Sequence, residues 1–369
     1  MAATEPNRDS SGTDSRTGKA ITPTVSDLGE LALIERLKPY CAPKAIGDDA
    51  AILAIRPNYK LVTTTDVLVG GVHFSDRTTP PYAVGWRAVA ANLSDLAAMG
   101  AEPLAVTVGL GLPSDTPLSW VEALYCGMSD CLNTYGGEIV GGDLSRSSCQ
   151  TVSVTALGEV LPSQVIHRHT ATPGMTVVVT GAHGASRAGL AVLLDELRLD
   201  ELRENKLRLA DEEAAAYMAT WVKAHQEPVP RFDAVTSLHQ SIQDQTQRAA
   251  SDPYPVVAGM DSSDGLANAL LQLSSSSGVG MDIVQSQIPI AAGLTAMVGA
   301  ETALDWALYG GEDFELVLCL PPSLAKVFTQ TPFGIAIGAT TETGIVNLCS
   351  ASDRGGKQLP LTYQGFQHF

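Results

Sequence analysis

Positive charge is scarce in this chain. It carries 23 Lys and Arg against 40 Asp and Glu in 369 residues, a formal net charge of −17. So acidic a surface repels polyanions, which excludes nonspecific nucleic-acid binding. Cysteine is sparse too. The six cysteines, Cys41, Cys126, Cys131, Cys149, Cys319 and Cys349, form no C-x-x-C pair. Neither a disulfide framework nor a zinc site is expected from that spacing, and reduced cytoplasmic thiols are. No run of 18 or more apolar residues occurs, so no membrane span is expected. Met1 to Val25 lacks the apolar stretch of a signal peptide and reads as a disordered tail. The Walker A pattern and the protein-kinase catalytic motifs are also missing, so any nucleotide must be held in another way.

What remains suits a folded protein with more than one core. Hydrophobic residues make up 45% of the chain and charged residues 17%. Its length exceeds the size at which a single core keeps growing. Periodicity predicts helices over Ser26 to Lys38, Tyr82 to Met99 and Leu118 to Tyr135. Strands are predicted through Thr63-Asp66, Ala105 to Leu110, Ile139 to Asp143 and Thr151 to Val160. A turn at Pro173-Gly174 opens a second half, with strands over Thr176 to Thr180 and Gly280 to Val284. Leu197 to Gln226 reads as a charged helical region. Ser237 to Pro255 is polar and Gln-rich, either a surface insertion or a long helix with a loop. The fold class is α+β, built from two α/β-type halves. The expected division is a tail over 1–25, an N-terminal domain over 26–165 and a C-terminal domain over 166–369.

Acidic motifs recur at strand ends and helix starts. Alternation along the Thr63-Thr64-Thr65-Asp66 strand sends Thr63 and Thr65 to one face, Thr64 and Asp66 to the other. Gly47-Asp48-Asp49 is either an Asp-rich turn or a source of a metal ligand. Asn92 and Asp95 share a face of a helix that carries Ala, Leu and Met all round. An Asp buried there needs a backbone amide, an Arg such as Arg87, or a metal. Gly141-Gly142-Asp143 ends another strand. Asp261-Ser262-Ser263-Asp264 stands where a strand meets a helix, as caps or as cation ligands. Gly310-Gly311-Glu312-Asp313 is an acidic turn or a contact for a cationic or amine-bearing group. Arg168 is either an exposed loop residue or a phosphate contact. Gly181 to Leu190 has the shape of a glycine loop opening a helix, which phosphate sites use. The aromatic end, Tyr363 to Phe369, packs on the surface or stacks on a ligand. Gathering the acids without cations is costly: one like-charge pair at about 4 Å costs roughly 4 kcal/mol at an effective dielectric of about 20. Several Mg²⁺ ions turn that repulsion into binding, and a triphosphate completes their coordination, which points to phosphoryl transfer.

In order along residues 26 to 369, these motifs resemble the thiamine-monophosphate kinase family. The run Asn92-Leu93-Ser94-Asp95-Leu96-Ala97-Ala98-Met99-Gly100 and the run Gly310-Gly311-Glu312-Asp313-Phe314-Glu315 carry most of the likeness. This family belongs with aminoimidazole-ribonucleotide synthetase, selenophosphate synthetase and HypE. The resemblance implies ATP-dependent phosphorylation of thiamine monophosphate to thiamine diphosphate, the last step in making that diphosphate, by Mg²⁺-assisted in-line transfer. It implies a homodimer whose N-terminal halves form a β-barrel, and a C-terminal half with a mixed sheet flanked by helices. Carried over by position, Asp49, Thr64, Thr65, Asp66, Asp95, Asp143, Asp261 and Asp264 look like metal ligands. Gly142, Asp143, Arg168 and Ser263 look like ATP contacts. His73, Glu312 and Phe366 look like substrate contacts. Ser262 departs from the family's aliphatic residue. The alternatives are another synthetase of the superfamily, though no reactive Cys near a glycine-rich N-terminus appears, or a non-catalytic scaffold that binds Mg·ATP.

Overall fold

The computed structural model describes residues 22–43, 47–198, 209–248, 254–350 and 358–364. The expected tail therefore lies almost wholly outside the described residues. Two short helices open the described chain, α1 (Val25–Leu28) and α2 (Glu30–Leu37). The single helix expected from Ser26 is split because Gly29 adopts φ 79°, a conformation that costs glycine little. Thr24, not Ser26, is the N-cap, and it forms a capping box with Asp27. Pro39 falls in a 3₁₀ turn over Lys38–Tyr40 that ends the segment.

The first sheet is built from β1 (Lys60–Val69), β2 (Glu102–Leu112), β3 (Glu138–Arg146) and β4 (Thr151–Val160). Its order is β1-β4-β2-β3, antiparallel except for the β2–β3 pair. Helices α3 (Pro81–Ala98) and α4 (Leu118–Tyr135) cover one face. They cross closely because Gly85 and Gly127 face each other's backbones. A Cβ on Gly85 would stand 1.9 Å from the Leu124 carbonyl oxygen, and one on Gly127 1.9 Å from that of Tyr82. Side chains of β1 alternate between half-buried and exposed, as a strand with one covered face must.

The second half contributes β5 (Thr176–Val179), α5 (Ala185–Leu193), α6 (Asp211–Gln226), α7 (Phe232–Arg248), β6 (Ala258–Asp261), α8 (Leu266–Ser277) and β7 (Gly280–Val284). It continues through α9 (Leu294–Val298), α10 (Ala300–Tyr309), β8 (Leu316–Leu320), α11 (Pro322–Phe328), β9 (Ile335–Thr341), β10 (Val346–Cys349) and β11 (Gln358–Pro360). Among the described residues the sheet order is β11-β10-β7-β9-β5-β8-β6, with only β7 and β10 parallel. The polar Gln-rich stretch is mostly helix α7.

Each sheet has its own core, with Leu93, Leu96 and Val108 in the first and Val177, Leu270 and Met281 in the second. A third cluster joins Ala97 and Ala98 of α3 to Val178, Leu238 and Phe328 of the second half. Helix α3 is thus held from both sides, which fixes the residues it presents between them. Among the described residues no helix is long and apolar enough to cross a membrane.

Candidate active site

Helix α3 and the C-terminal part of β1 form the first wall of a cleft between the halves. Thr64 and Asp66 point to the covered face of β1, toward α3. The Thr64 hydroxyl donates to Asp95 Oδ2 at 2.5 Å. Asn92 accepts from the Asp66 amide at 3.1 Å and donates to the Ala88 carbonyl at 2.9 Å, so it locks strand to helix. The second half meets this wall at the β6–α8 junction. Asp261, 2% exposed, accepts from Ser94 Oγ of α3 at 2.7 Å and from Ser263 Oγ at 3.1 Å. Asp264 accepts from Asn268 at 3.1 Å. Four carboxylates thus converge, two from each half.

Their electrostatics show the crowding. Burial, then the charges of Asp95 and Asp264, pushes Asp66 up to about 6. Burial and Asp95 push Asp261 to about 6. Asp95 is raised by burial, against the Thr64 hydrogen bond and the charge of Arg168. Hard oxygen donors that repel one another fit Mg²⁺. Among the described residues no three His, Cys, Asp or Glu side chains stand close enough to hold a metal alone. Mg²⁺ needs only one or two carboxylates when waters and substrate phosphates complete its shell.

This arrangement predicts a pH-dependent metal effect. Asp66 and Asp261 have folded values near 6 against 3.8 unfolded. The folded chain therefore binds more protons across that window, and metal-free stability falls as pH rises through it. Cations bind the ionised forms, so the rise in Tm on adding Mg²⁺ is larger at about pH 8 than at about pH 5. Asp66→Asn removes one repelling charge and raises the metal-free Tm at neutral pH by about 2–4 °C. Differential scanning calorimetry with and without Mg²⁺ checks both.

The cleft has a volume of about 1090 Å³, and Asp66, Asp95, Asp261, Ser263 and Asp264 are among the residues that line it. Val72, Phe74, Leu190 and Leu194 form apolar walls, and His73, His225, Glu312 and Tyr363 also line it. His73 Nδ1 accepts from the Val69 amide at 3.0 Å, which fixes its ring. Glu312 sits at φ 58° with its amide bonded to the Ser263 carbonyl at 2.6 Å. Its Oε1 accepts from Arg87 Nη2 at 2.5 Å. Burial pushes the Glu312 carboxyl up, but the charge and hydrogen bond of Arg87 outweigh it and hold the group below its usual range.

Several expected residues stand elsewhere. The Thr65 side chain lies on the opposite face of β1, its hydroxyl 2.8 Å from that of Thr155, and so does not join the carboxylates. Asp49 is exposed in a bend over 47–50 and does not line the cleft. Gly142 and Asp143 are exposed on β3, an edge strand of the first sheet. Arg168 is exposed and donates to Gln272 at 3.0 Å, though its charge is felt at Asp95 and Asp261. Phe366 lies outside the described residues. Ser262 is 1% exposed, and its hydroxyl has no hydrogen-bond partner. The glycine loop at Gly181 does not form a phosphate cradle. The amides of Gly184 and Ser186, which open α5, bond the Asp313 carboxylate at 2.7 and 3.0 Å. Arg87 serves Glu312 rather than Asp95.

Sequence reasoning left out Ser94, Arg87, His225 and Tyr363 as site residues. Ser94 and Arg87 find their partners 167 and 225 residues away, a separation that no local pattern reports. Tyr363 belongs to the aromatic tail that had drawn attention through Phe366.

Residues 47–160 match the family model described as AIR synthase related protein, N-terminal domain. A thiamine-monophosphate kinase from Synechococcus elongatus is 46% identical over 94% of this chain and 98% of its own length. The thiamine-monophosphate kinase of Escherichia coli is 34% identical over 88% of this chain and 91% of its own. A solved structure described as "AaThiL complexed with AMPPCP and TMP" superposes with a TM-score of 0.67 at 32% identity, covering 95% of this chain and all of that one. With such identity along nearly its whole length, and with the two halves meeting at the family's acidic motifs, the chain belongs to the thiamine-monophosphate kinase family.

Proposed function

We propose that this chain phosphorylates thiamine monophosphate to thiamine diphosphate at the expense of ATP. The observation that carries this is the lining of the cleft. Carboxylates Asp66, Asp95, Asp261 and Asp264, the apolar Val72, Phe74, Leu190 and Leu194, and the polar His73, His225 and Glu312 line one cleft. An acceptor that joins a phosphate to a cationic heteroaromatic matches that mixed lining. The relatives' names, and the solved complex with AMPPCP and TMP, agree with it.

In this reading Asp66, Asp95, Asp261 and Asp264 hold Mg²⁺, with Thr64 orienting Asp95. These carboxylates would hold the ion, which would supply charge neutralisation at the transferring phosphoryl group. Asp49, Asp143, Gly142 and the Thr65 main chain join only if the N-terminal segment and β3 are brought to the nucleotide. Ser263 and Arg168 contact the phosphates. His73 and Glu312 contact the acceptor. No general base is needed, because the attacking group is already a phosphate oxygen anion. The chain's own task is to place donor and acceptor in line and to exclude water from between them.

The second part of the proposal is a homodimer closed through the first sheet, which forms a barrel with its copy, and a chain organised as N-terminal and C-terminal domains meeting near residue 165. The uncovered face supports it: Leu61 and Val67 of β1 are 46% and 44% exposed. Apolar groups so placed signal a partner. Val67→Asp shifts the species seen by analytical ultracentrifugation from dimer to monomer. A reducing, cytoplasmic setting suits six cysteines that form no disulfide.

Mass spectrometry of mixtures with ATP, Mg²⁺ and thiamine monophosphate tests the reaction. Thiamine diphosphate that forms only when all three are present supports it. ADP without thiamine diphosphate moves the acceptor elsewhere. No nucleotide turnover by folded protein favours the scaffold.

A further inference from the structure

Two nearly buried basic side chains, Arg87 and His225, lie under the acceptor end of the cleft, 4% and 3% exposed. Arg87 Nη2 donates to Glu312 Oε1 at 2.5 Å, and its Nη1 donates to the His225 carbonyl at 2.6 Å. The His225 ring packs against the same guanidinium, with both nitrogens 3.3 Å from Nη1. Its Nδ1 is 3.1 Å from Ser186 Oγ and 3.5 Å from Glu312 Oε2. Ser186 donates its amide to Asp313, the residue after Glu312. The contacts therefore close a ring through α3, α5, α6 and the Glu312 turn.

The ring has one opening. The Glu312 side chain remains 36% exposed and faces the cleft, while its main chain is clamped at φ 58° by the bond to Ser263. Burial drives the His225 ring down to about 4, with the nearby Arg87 adding to the effect, so the imidazole is neutral. One cation therefore faces one carboxylate, and the second carboxylate oxygen, beside a neutral imidazole, is left without a charged partner. Arg87 lies eight residues before Asp95 on α3, about 12 Å along the axis. A single helix thereby sets the distance between the two ends of the acceptor site.

From this geometry we propose that Arg87 and His225 are positioning residues that set acceptor affinity, Arg87 by pairing with the Glu312 carboxylate and His225 by keeping that pair aimed into the cleft. The inference rests on thiamine monophosphate being the acceptor, with its cationic, amine-bearing rings at Glu312. Arg87 acts through Glu312 and touches no reacting atom. Its fork reaches two partners at once, which a lysine ammonium on one stem does not reproduce.

Steady-state kinetics of the full chain with Mg·ATP test it. Arg87→Met raises KM for thiamine monophosphate about tenfold or more, with KM for ATP and kcat within about twofold. Arg87→Lys lies between Met and wild type, and His225→Phe, which keeps bulk but removes the ring nitrogens, raises the same KM several-fold. The decisive readout is coupling: in a Glu312→Gln background, Arg87→Met adds no further rise. If Arg87→Met fails to fold, Arg87→Lys and His225→Phe carry the same test. Equal effects on both KM values, or effects that multiply with Glu312→Gln, overturn the positioning role and leave the acceptor assignment standing. Wild-type protein that makes no thiamine diphosphate overturns both.

Discussion

Asp95→Asn lowers turnover by about three orders of magnitude and leaves the fold intact. Thr64 donates to Asp95 Oδ2, and an asparagine Oδ1 accepts the same bond, so the local geometry survives. What is lost is a full negative charge beside Asp66 and Asp261, where a bound cation and a transferring phosphoryl group concentrate positive and negative charge. Phosphoryl transfer depends almost wholly on such positioning and electrostatics, so the loss appears in kcat. Burial already opposes ionisation of Asp95, so the melting temperature does not fall. Kinetics and a thermal melt of the same preparation separate the two effects. A variant that keeps near-wild-type turnover removes the metal role of Asp95.

Gly85→Ala destabilises the protein by about 3 kcal/mol, near the upper end for overpacking. The added Cβ would meet the Leu124 carbonyl oxygen at 1.9 Å, and the carbonyl belongs to α4 backbone that has no rotamer to yield. Gly127→Ala meets the Tyr82 carbonyl at the same distance, so the crossing is refused from either side. The two helices must separate, and α3 carries Arg87, Asn92, Ser94 and Asp95 with it. Activity therefore falls together with stability, unlike the Asp95 variant. Urea unfolding measures the first, and a midpoint within experimental error of wild type would show that the crossing relaxes without cost.

The carboxylates at the cleft were legible because local patterns report them. Alternation assigned Thr64 and Asp66 to one face, and helical spacing put Asn92 and Asp95 together. The same alternation sent Thr65 outward, and in the structure its hydroxyl meets Thr155 there, whatever the family resemblance implied for it. Strand and helix positions in the first half followed from periodicity, with Leu118–Tyr135 and Thr151–Val160 matching the expected bounds. Long-range pairings were not legible. Nothing near Asp313 in sequence says that its carboxylate fills the N-terminus of α5, and nothing near Arg87 says that it serves Glu312. The first pairing needs the second half to fold on itself, and the second needs that half to fold against α3. The split at Gly29 was missed because glycine inside a periodic run is tolerated by the pattern while its backbone turns away.

In the proposed reading, carboxylates from both halves share the metal-binding cluster, and nucleotide completes it. Electron paramagnetic resonance of Mn²⁺ bound in the presence of a non-hydrolysable ATP analogue tests it most directly, with Asp95→Asn standing for the first half and Asp261→Asn for the second. The account predicts nucleotide-dependent Mn²⁺ binding in the wild type that is weakened at least about tenfold in both variants. Undiminished binding in either variant would contradict it.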